Sequence, residues 1–129
     1  MDHKHLLVNC TFKETPFKDE VFTESWLEEI VDKIDMEILY PAKAVKCYDE
    51  GNEGITAFCM ITTSHLCLHS WETTDPNLVQ FDVYSCKDFS QEIILDAMRE
   101  FKPIRLGCRF INRGLMSTTG WEMGREGLF

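Results

Sequence analysis

The stretch Thr63-Ser64-His65-Leu66-Cys67-Leu68-His69-Ser70-Trp71-Glu72 gathers most of the groups in this chain that can do chemistry. It offers a Ser-His dipeptide, a second histidine, a thiol and a carboxylate. Farther on, Phe81-Asp82-Val83-Tyr84-Ser85-Cys86 adds another carboxylate and thiol. Metal ligation is the first chemistry to test, because His65 and His69 have the i, i+4 spacing that one helix face uses. The residues between them alternate and adjoin strand-like runs. At ~3.3 Å per residue the two side chains then lie ~13 Å apart, too far to share one zinc. No metal site is expected. A Ser-His-Asp hydrolase fares no better, because no Gly-x-Ser-x-Gly elbow is present.

These groups are positioned by elements that can be read from periodicity. His5 to Phe12 reads as a first strand. Trp26, Leu27, Ile30, Val31 and Ile34 recur at the 3.6-residue period, which predicts a helix from about Glu24 to Ile34. Ser25 or Thr23 would cap it, and Ser25-x-x-Glu28 would form a capping box. Strands are expected at Ile38–Tyr48, with Pro41 limiting its pairing, then at Ile55–Thr62, His65–Trp71 and Val79–Cys86. Asp49 to Gly54 is a turn by composition. A second helix from about Ser90 to Phe101, capped by Asp88 or Ser90, precedes a last strand at Ile104–Ile111. The stretch from Asn112 to Phe129 has four glycines and no period. The expected fold is α+β: a two-layer sandwich, mostly antiparallel, with both helices on one face of the sheet. In Ile55–Ile61 both alternating sets are largely apolar, so the face without helices needs a cover. A second copy of the chain supplies one, and a homodimer is expected.

Bulk properties narrow the function. The chain has 129 residues, 44% of them hydrophobic and 27% charged, the size and composition of a single globular domain spanning 1–129. No run approaches ~18 apolar residues, so no membrane span is expected. Only three apolar residues follow the polar N-terminus before Asn9, too few for a signal peptide; a cytoplasmic protein is expected. The net charge of −9 argues against a nucleic-acid partner and favours a cationic ligand. Six cysteines without CxxC spacing and without a secretory signal read as reduced thiols.

Four ordered motifs carry a more specific signal. Ser64-His65-Leu66-x-Leu68-His69-Ser70-Trp71 resembles the processing site of the small prokaryotic S-adenosylmethionine decarboxylases, which read Glu-Ser-His followed by His-Thr-Trp-Pro-Glu. His5-Leu6-Leu7-Val8 resembles that family's first strand. Gly54-Ile55-Thr56-Ala57 resembles its Gly-Val-Ser/Thr-Gly/Ala segment, and Phe81 to Cys86 resembles its Asp-x-Phe-Thr-Cys strand. The likeness runs over roughly residues 5 to 105.

The resemblance implies a self-processing proenzyme cleaved between Thr63 and Ser64 into 1–63 and 64–129. Ser64 would become a pyruvoyl group, the cofactor, whose ketone forms a Schiff base with the α-amine of S-adenosylmethionine. By position, His69 would take the proton in the elimination step of processing. Thr56 would steady the oxyoxazolidine intermediate. Cys86 would return a proton to the substrate carbon. Glu72 would bind the ribose hydroxyls, and Tyr48 would stack the adenine. His65 would be structural. The product would feed polyamine, specifically spermidine, synthesis.

The chain departs from the pattern in three places. Thr63 stands where the family has Glu, the Pro of Trp-Pro-Glu is missing, and the loops at Asp49–Glu53 and Thr73–Asn77 are longer. These changes surround the substrate pocket. They leave open a decarboxylase of ornithine or arginine on the same scaffold, or an unprocessed binding protein.

Overall fold

A computed structural model describes residues 3–114. In chain order these form β1 (Lys4–Phe12), α1 (Glu20–Lys33), β2 (Ile38–Cys47), β3 (Gly54–Ile61), β4 (Ser64–Trp71), β5 (Asn77–Ser85), α2 (Gln91–Arg99) and β6 (Arg105–Asn112). The six strands make one sheet in the order β2-β3-β4-β5-β1-β6, with every neighbouring pair antiparallel. The α+β sandwich expected from the sequence is therefore the observed architecture. Most of the segment beyond Asn112, for which the sequence suggests no structure, lies outside the described residues.

Strand alternation sorts the side chains. Leu6, Val8, Cys10 and Phe12 of β1, Val79, Phe81 and Val83 of β5, and Leu66 and Leu68 of β4 point to one face. There they join Trp26, Leu27, Ile30, Ile94 and Met98 of the helices in a single core. An aromatic cluster fills the middle: Trp26 packs edge-on against Phe17 and Phe81, and Phe101 closes over Phe17. The opposite face carries no helix. It presents Thr56, Phe58 and Met60 of β3, His65, Cys67 and His69 of β4, and Gln80, Asp82 and Tyr84 of β5.

The first helix starts four residues before the expected Glu24. Asp19 is its cap, and the Asp19 carboxylate accepts from the Phe22 amide at 2.7 Å, a contact typically worth about 1 kcal/mol. The capping box at Ser25 does not form, because Glu28 is used elsewhere. Its carboxylate accepts from the Ala42 amide, and that of Glu24 accepts from the Ala44 amide. Those amides belong to β2, an edge strand, so α1 satisfies donors that would otherwise lie open for pairing. At the other end of the β2–β3 hairpin, Gly54 runs against β4. A Cβ there would lie 1.9 Å from the Ser70 carbonyl oxygen, so only glycine fits.

Candidate active site

The hairpin joining β3 to β4 has only Thr62 and Thr63 between the paired residues Ile61 and Ser64. Two-residue hairpins usually place a positive φ on a Gly or Asn within the turn. Here neither threonine takes it; Ser64 does, at φ 143°. A non-glycine residue there is strained by roughly 1–3 kcal/mol and persists only where its surroundings over-determine it. The surroundings of this turn do so. The Thr62 amide donates to the Glu37 carbonyl at 3.0 Å, and the Cys86 amide donates to the Thr63 carbonyl at 3.1 Å. The Ser85 hydroxyl donates to the Thr63 hydroxyl at 2.9 Å, which in turn donates to Met36 Sδ at 3.4 Å. Lys87 closes the ring with a bond from Nζ to the Asp35 carbonyl at 2.6 Å. Ser64, Thr63 and Cys86 thus meet at one end of the sheet, with the peptide carbonyl before Ser64 held by a backbone donor.

Thr56 and His69 meet elsewhere. They are directly paired across β3 and β4, and Thr56 Oγ1 lies 3.2 Å from His69 Nδ1. Cys67 Sγ approaches the other ring nitrogen at 3.7 Å, and Trp71 stacks on the ring at 5.9 Å. A hollow of about 110 Å³ opens here between Cys47, Asn52, Thr56, His69 and Trp71. A broader groove of about 710 Å³ begins at His69 and crosses Gln80, Asp82 and Asn9 toward Arg109. Glu72 and Tyr48 lie past the same rim: Cys47, Gly54 and Trp71 pair in one row, and the Glu72 amide donates to the Glu53 carbonyl. Tyr48 is 77% exposed, free to meet a ligand.

The candidate residues therefore fall into two groups. Thr63, Ser64 and Cys86 form one, and Thr56, His69, Glu72 and Tyr48 form the other. Ser64 and His69 are five residues apart on one extended strand, a separation of about 16 Å. A general base must come within about 3 Å of the proton it takes, so within one chain His69 does not reach Ser64.

A polar cluster that the sequence does not advertise lies near the Ser64 end of the open face. His5 Nε2 and His65 Nε2 both approach Asp82 Oδ2, at 2.8 and 3.4 Å. Burial pushes the Asp82 carboxyl upward, but hydrogen bonds from His65 and His5 outweigh it and hold the group below its usual range. Tyr84 packs against both histidine rings, and the Arg113 guanidinium covers the Tyr84 ring at 4.3 Å. Among the described residues this is the one group of three ligand atoms close enough for a metal ion. Arg113 also lies 3.2 Å from His5 Nδ1, and a cation beside the trio suits a hydrogen-bonded cluster better than an ion site. His65 thus meets Asp82 on the neighbouring β5 and the His5 ring on β1 beyond it, and not His69 on its own strand.

The cysteines separate by environment. Burial pushes the Cys10 thiol up to about 12 and the Cys59 thiol up to about 11, so both act as small apolar side chains. Cys67 is raised too, by burial and then by Asp82. Cys86 sits half-buried beside the strained turn. All six thiols are free.

This geometry can be set beside known proteins. The profile of the S-adenosylmethionine decarboxylase family matches residues 4–114. The chain belongs to the S-adenosylmethionine decarboxylase family. Its catalytic class is that of a carboxy-lyase. The crystal structure of the adenosylmethionine decarboxylase from Aquifex aeolicus superposes with a TM-score of 0.71 at 21% identity, covering 88% of this chain and 92% of that one. No curated protein matches the chain significantly by sequence. Family membership thus rests on the profile, and the superposition shows a shared fold. Among the described residues no helix is long and apolar enough to cross a membrane.

Proposed function

We propose that the chain is a cytoplasmic, self-processing, pyruvoyl-dependent decarboxylase that acts on S-adenosylmethionine and supplies spermidine synthesis. The observation that carries this reading is the positive φ at Ser64 next to a Thr63 carbonyl already held by the Cys86 amide. In processing, Ser64 Oγ attacks the Thr63 carbonyl carbon. The C–N bond breaks as the C–O bond forms, and the hydroxyl proton ends on the released amine. The strain at Ser64 raises the starting peptide toward this step, and the Cys86 N–H stabilises the developing oxyanion. A base then removes the Ser64 Cα proton, and the Cβ–O bond breaks to free residues 1–63 with a Thr63 carboxylate. The dehydroalanine left at residue 64 takes a proton at Cβ and loses one from nitrogen to become an imine; water adds to it and ammonia leaves, which generates the pyruvoyl ketone.

That ketone supplies an electron sink for the carboxylate's bonding pair. The protein's own part is to hold the substrate and manage its protons. The Cys86 thiol, on the residue whose amide holds the Thr63 carbonyl, returns a proton to the substrate carbon. Thr56 and His69 serve processing, while Glu72 and Tyr48 hold ribose and adenine. The acidic surface suits a cationic sulfonium substrate. Because Ser64 and His69 are about 16 Å apart in one chain, we assign the complete site to a homodimer, in which the Thr56–His69 group of one protomer faces the Ser64 end of its partner. The half-exposed Phe58 and Met60 on the helix-free face are apolar surface such a partner would cover.

The direct test is mass spectrometry of purified protein. Fragments 1–63 and 64–129 are expected, and Ser64→Ala is expected to stay whole. Carbon dioxide release from S-adenosylmethionine, ornithine and arginine then separates the substrates. A chain that stays intact after long incubation at neutral pH overturns the reading.

A further inference from the structure

We infer that Ser85 is a positioning residue for self-cleavage, clamping Thr63 from the neighbouring strand so that its carbonyl faces the Ser64 hydroxyl; this rests on the processing reading above. Ser85 is the inward position of β5 that breaks the apolar series. Val79, Phe81 and Val83 precede it on the same face, and all are buried hydrophobes. Ser85 is itself 0% exposed. A hydroxyl there costs more to bury than the methyl groups of another valine, unless its bonds are made.

Those bonds are made, and they lead to the cleavage site. The Lys87 amide donates to Ser85 Oγ at 3.0 Å, and Ser85 Oγ donates to Thr63 Oγ1 at 2.9 Å. The Thr63 hydroxyl passes its own proton toward Met36 Sδ at 3.4 Å. The donors therefore run in one direction from β5 through residue 63 to the segment after α1. The next residue, Cys86, holds the Thr63 carbonyl through its amide at 3.1 Å. The last residue of β5 and the one after it thus grip Thr63 by its side chain and by its carbonyl, while Ser64 on the far side of the same peptide carries the strain. With both grips in place, the torsion at Ser64 cannot relax by swinging Thr63. Removing the Ser85 hydroxyl frees the threonine side chain and lets the carbonyl turn away from the attacking oxygen.

The test is the first-order rate of chain cleavage in freshly purified protein, read on denaturing gels. Ser85→Ala is expected to slow cleavage about tenfold, the effect of one net hydrogen bond on a barrier. Thr63→Val, which removes the partner hydroxyl at a half-buried site, is expected to do the same. The double variant is expected to be little slower than the slower single one, since the Ser85–Thr63 bond that sets the carbonyl is already lost in each. Ser85→Thr, which keeps a hydroxyl, is expected to recover most of the rate. A general packing defect would not produce this pattern. Melting temperatures measured in a Ser64→Ala background, where no cleavage occurs, give the stability cost separately. If the parent chain cleaves and Thr63→Val cleaves at the parent rate, the clamp is wrong and the processing reading stands. Multiplying defects in the double variant also overturn the clamp. If the parent chain itself never cleaves, the processing reading falls first.

Discussion

The proposed construction of the site by two protomers makes a prediction that neither single variant can make. Ser64→Ala has no nucleophile and His69→Ala has no base, so each alone is expected to stay uncleaved or nearly so. The about 16 Å between these positions on β4 means that neither defect touches the other's half of the site. In a mixed dimer, the intact Ser64 of a His69→Ala chain faces the intact His69 of a Ser64→Ala chain. One competent site is restored, and the other carries both defects. Random pairing of equal amounts places about half of the His69→Ala chains in mixed dimers. Coexpression with distinguishable tags, followed by denaturing electrophoresis, should therefore show about half of the His69→Ala chains cleaved and the Ser64→Ala chains whole. Free exchange of subunits drives the cleaved share higher with time. If the mixture cleaves no more than His69→Ala alone, the Thr56–His69 group does not act across the dimer and the two-protomer site is wrong. If His69→Ala alone cleaves at the parent rate, His69 has no part in processing.

Other consequences follow from single contacts. Cys86→Ala keeps the amide that holds the Thr63 carbonyl and loses only the thiol, so it should still cleave. Its turnover should fall by about 10²–10⁴-fold, measured as carbon dioxide release by the processed protein. Gly54→Ala forces a Cβ into the Ser70 carbonyl oxygen, and chemical denaturation should show a loss of about 2–4 kcal/mol. Asp82 is held below its ordinary carboxylate range by His65 and His5 against the push of burial. A depressed carboxyl adds stability above its unfolded-state pKa, and the addition disappears as pH falls through the folded value. The melting temperature should therefore drop as pH falls below about 4, and Asp82→Asn should flatten that acid limb.

The sheet was legible because its strands alternate cleanly, and each was located to within one or two residues at most ends. The start of α1 was missed for a physical reason. Val21 and Phe22 in its first turn are apolar but exposed, at 69% and 42%, so the buried period begins only at Thr23 and Trp26. Glu28 suggested a local cap, yet its carboxylate serves an edge strand fourteen residues away, a tertiary choice no local pattern encodes. The His5–His65–Asp82 cluster comes from three strands. Only strand order brings it together, and strand order is not written in any one segment. Cys67 was within reach of the sequence, since i, i+2 spacing on a strand puts it on the face of His69. The motif around Ser64 supplied candidate residues but not their grouping. Neighbours in one short motif invite the assumption of one shared pocket, whereas an extended strand carries its fifth residue about 16 Å away.

That grouping changes how maturation should be understood. The strain and the carbonyl grip at Thr63–Ser64 are made by contacts within one chain. The strain and the grip therefore favour the acyl shift from within the chain, and the Thr56 hydroxyl proposed to steady its intermediate speeds it in the dimer. The elimination that makes cleavage irreversible needs a base, and the base proposed for it stands at the far end of the strand. A lone protomer would then reach the ester and return to the amide, while a dimer would go on to cleave. Hydroxylamine, which cuts esters but not ordinary amides, distinguishes the two stages. Dilute protein below the dimerisation constant should be cut by hydroxylamine between Thr63 and Ser64 while cleaving slowly without it. Concentrated protein should cleave unaided. Unaided cleavage at one rate across the whole range of concentration would mean that the base lies within the protomer, and the division of the site between two chains would have to be abandoned.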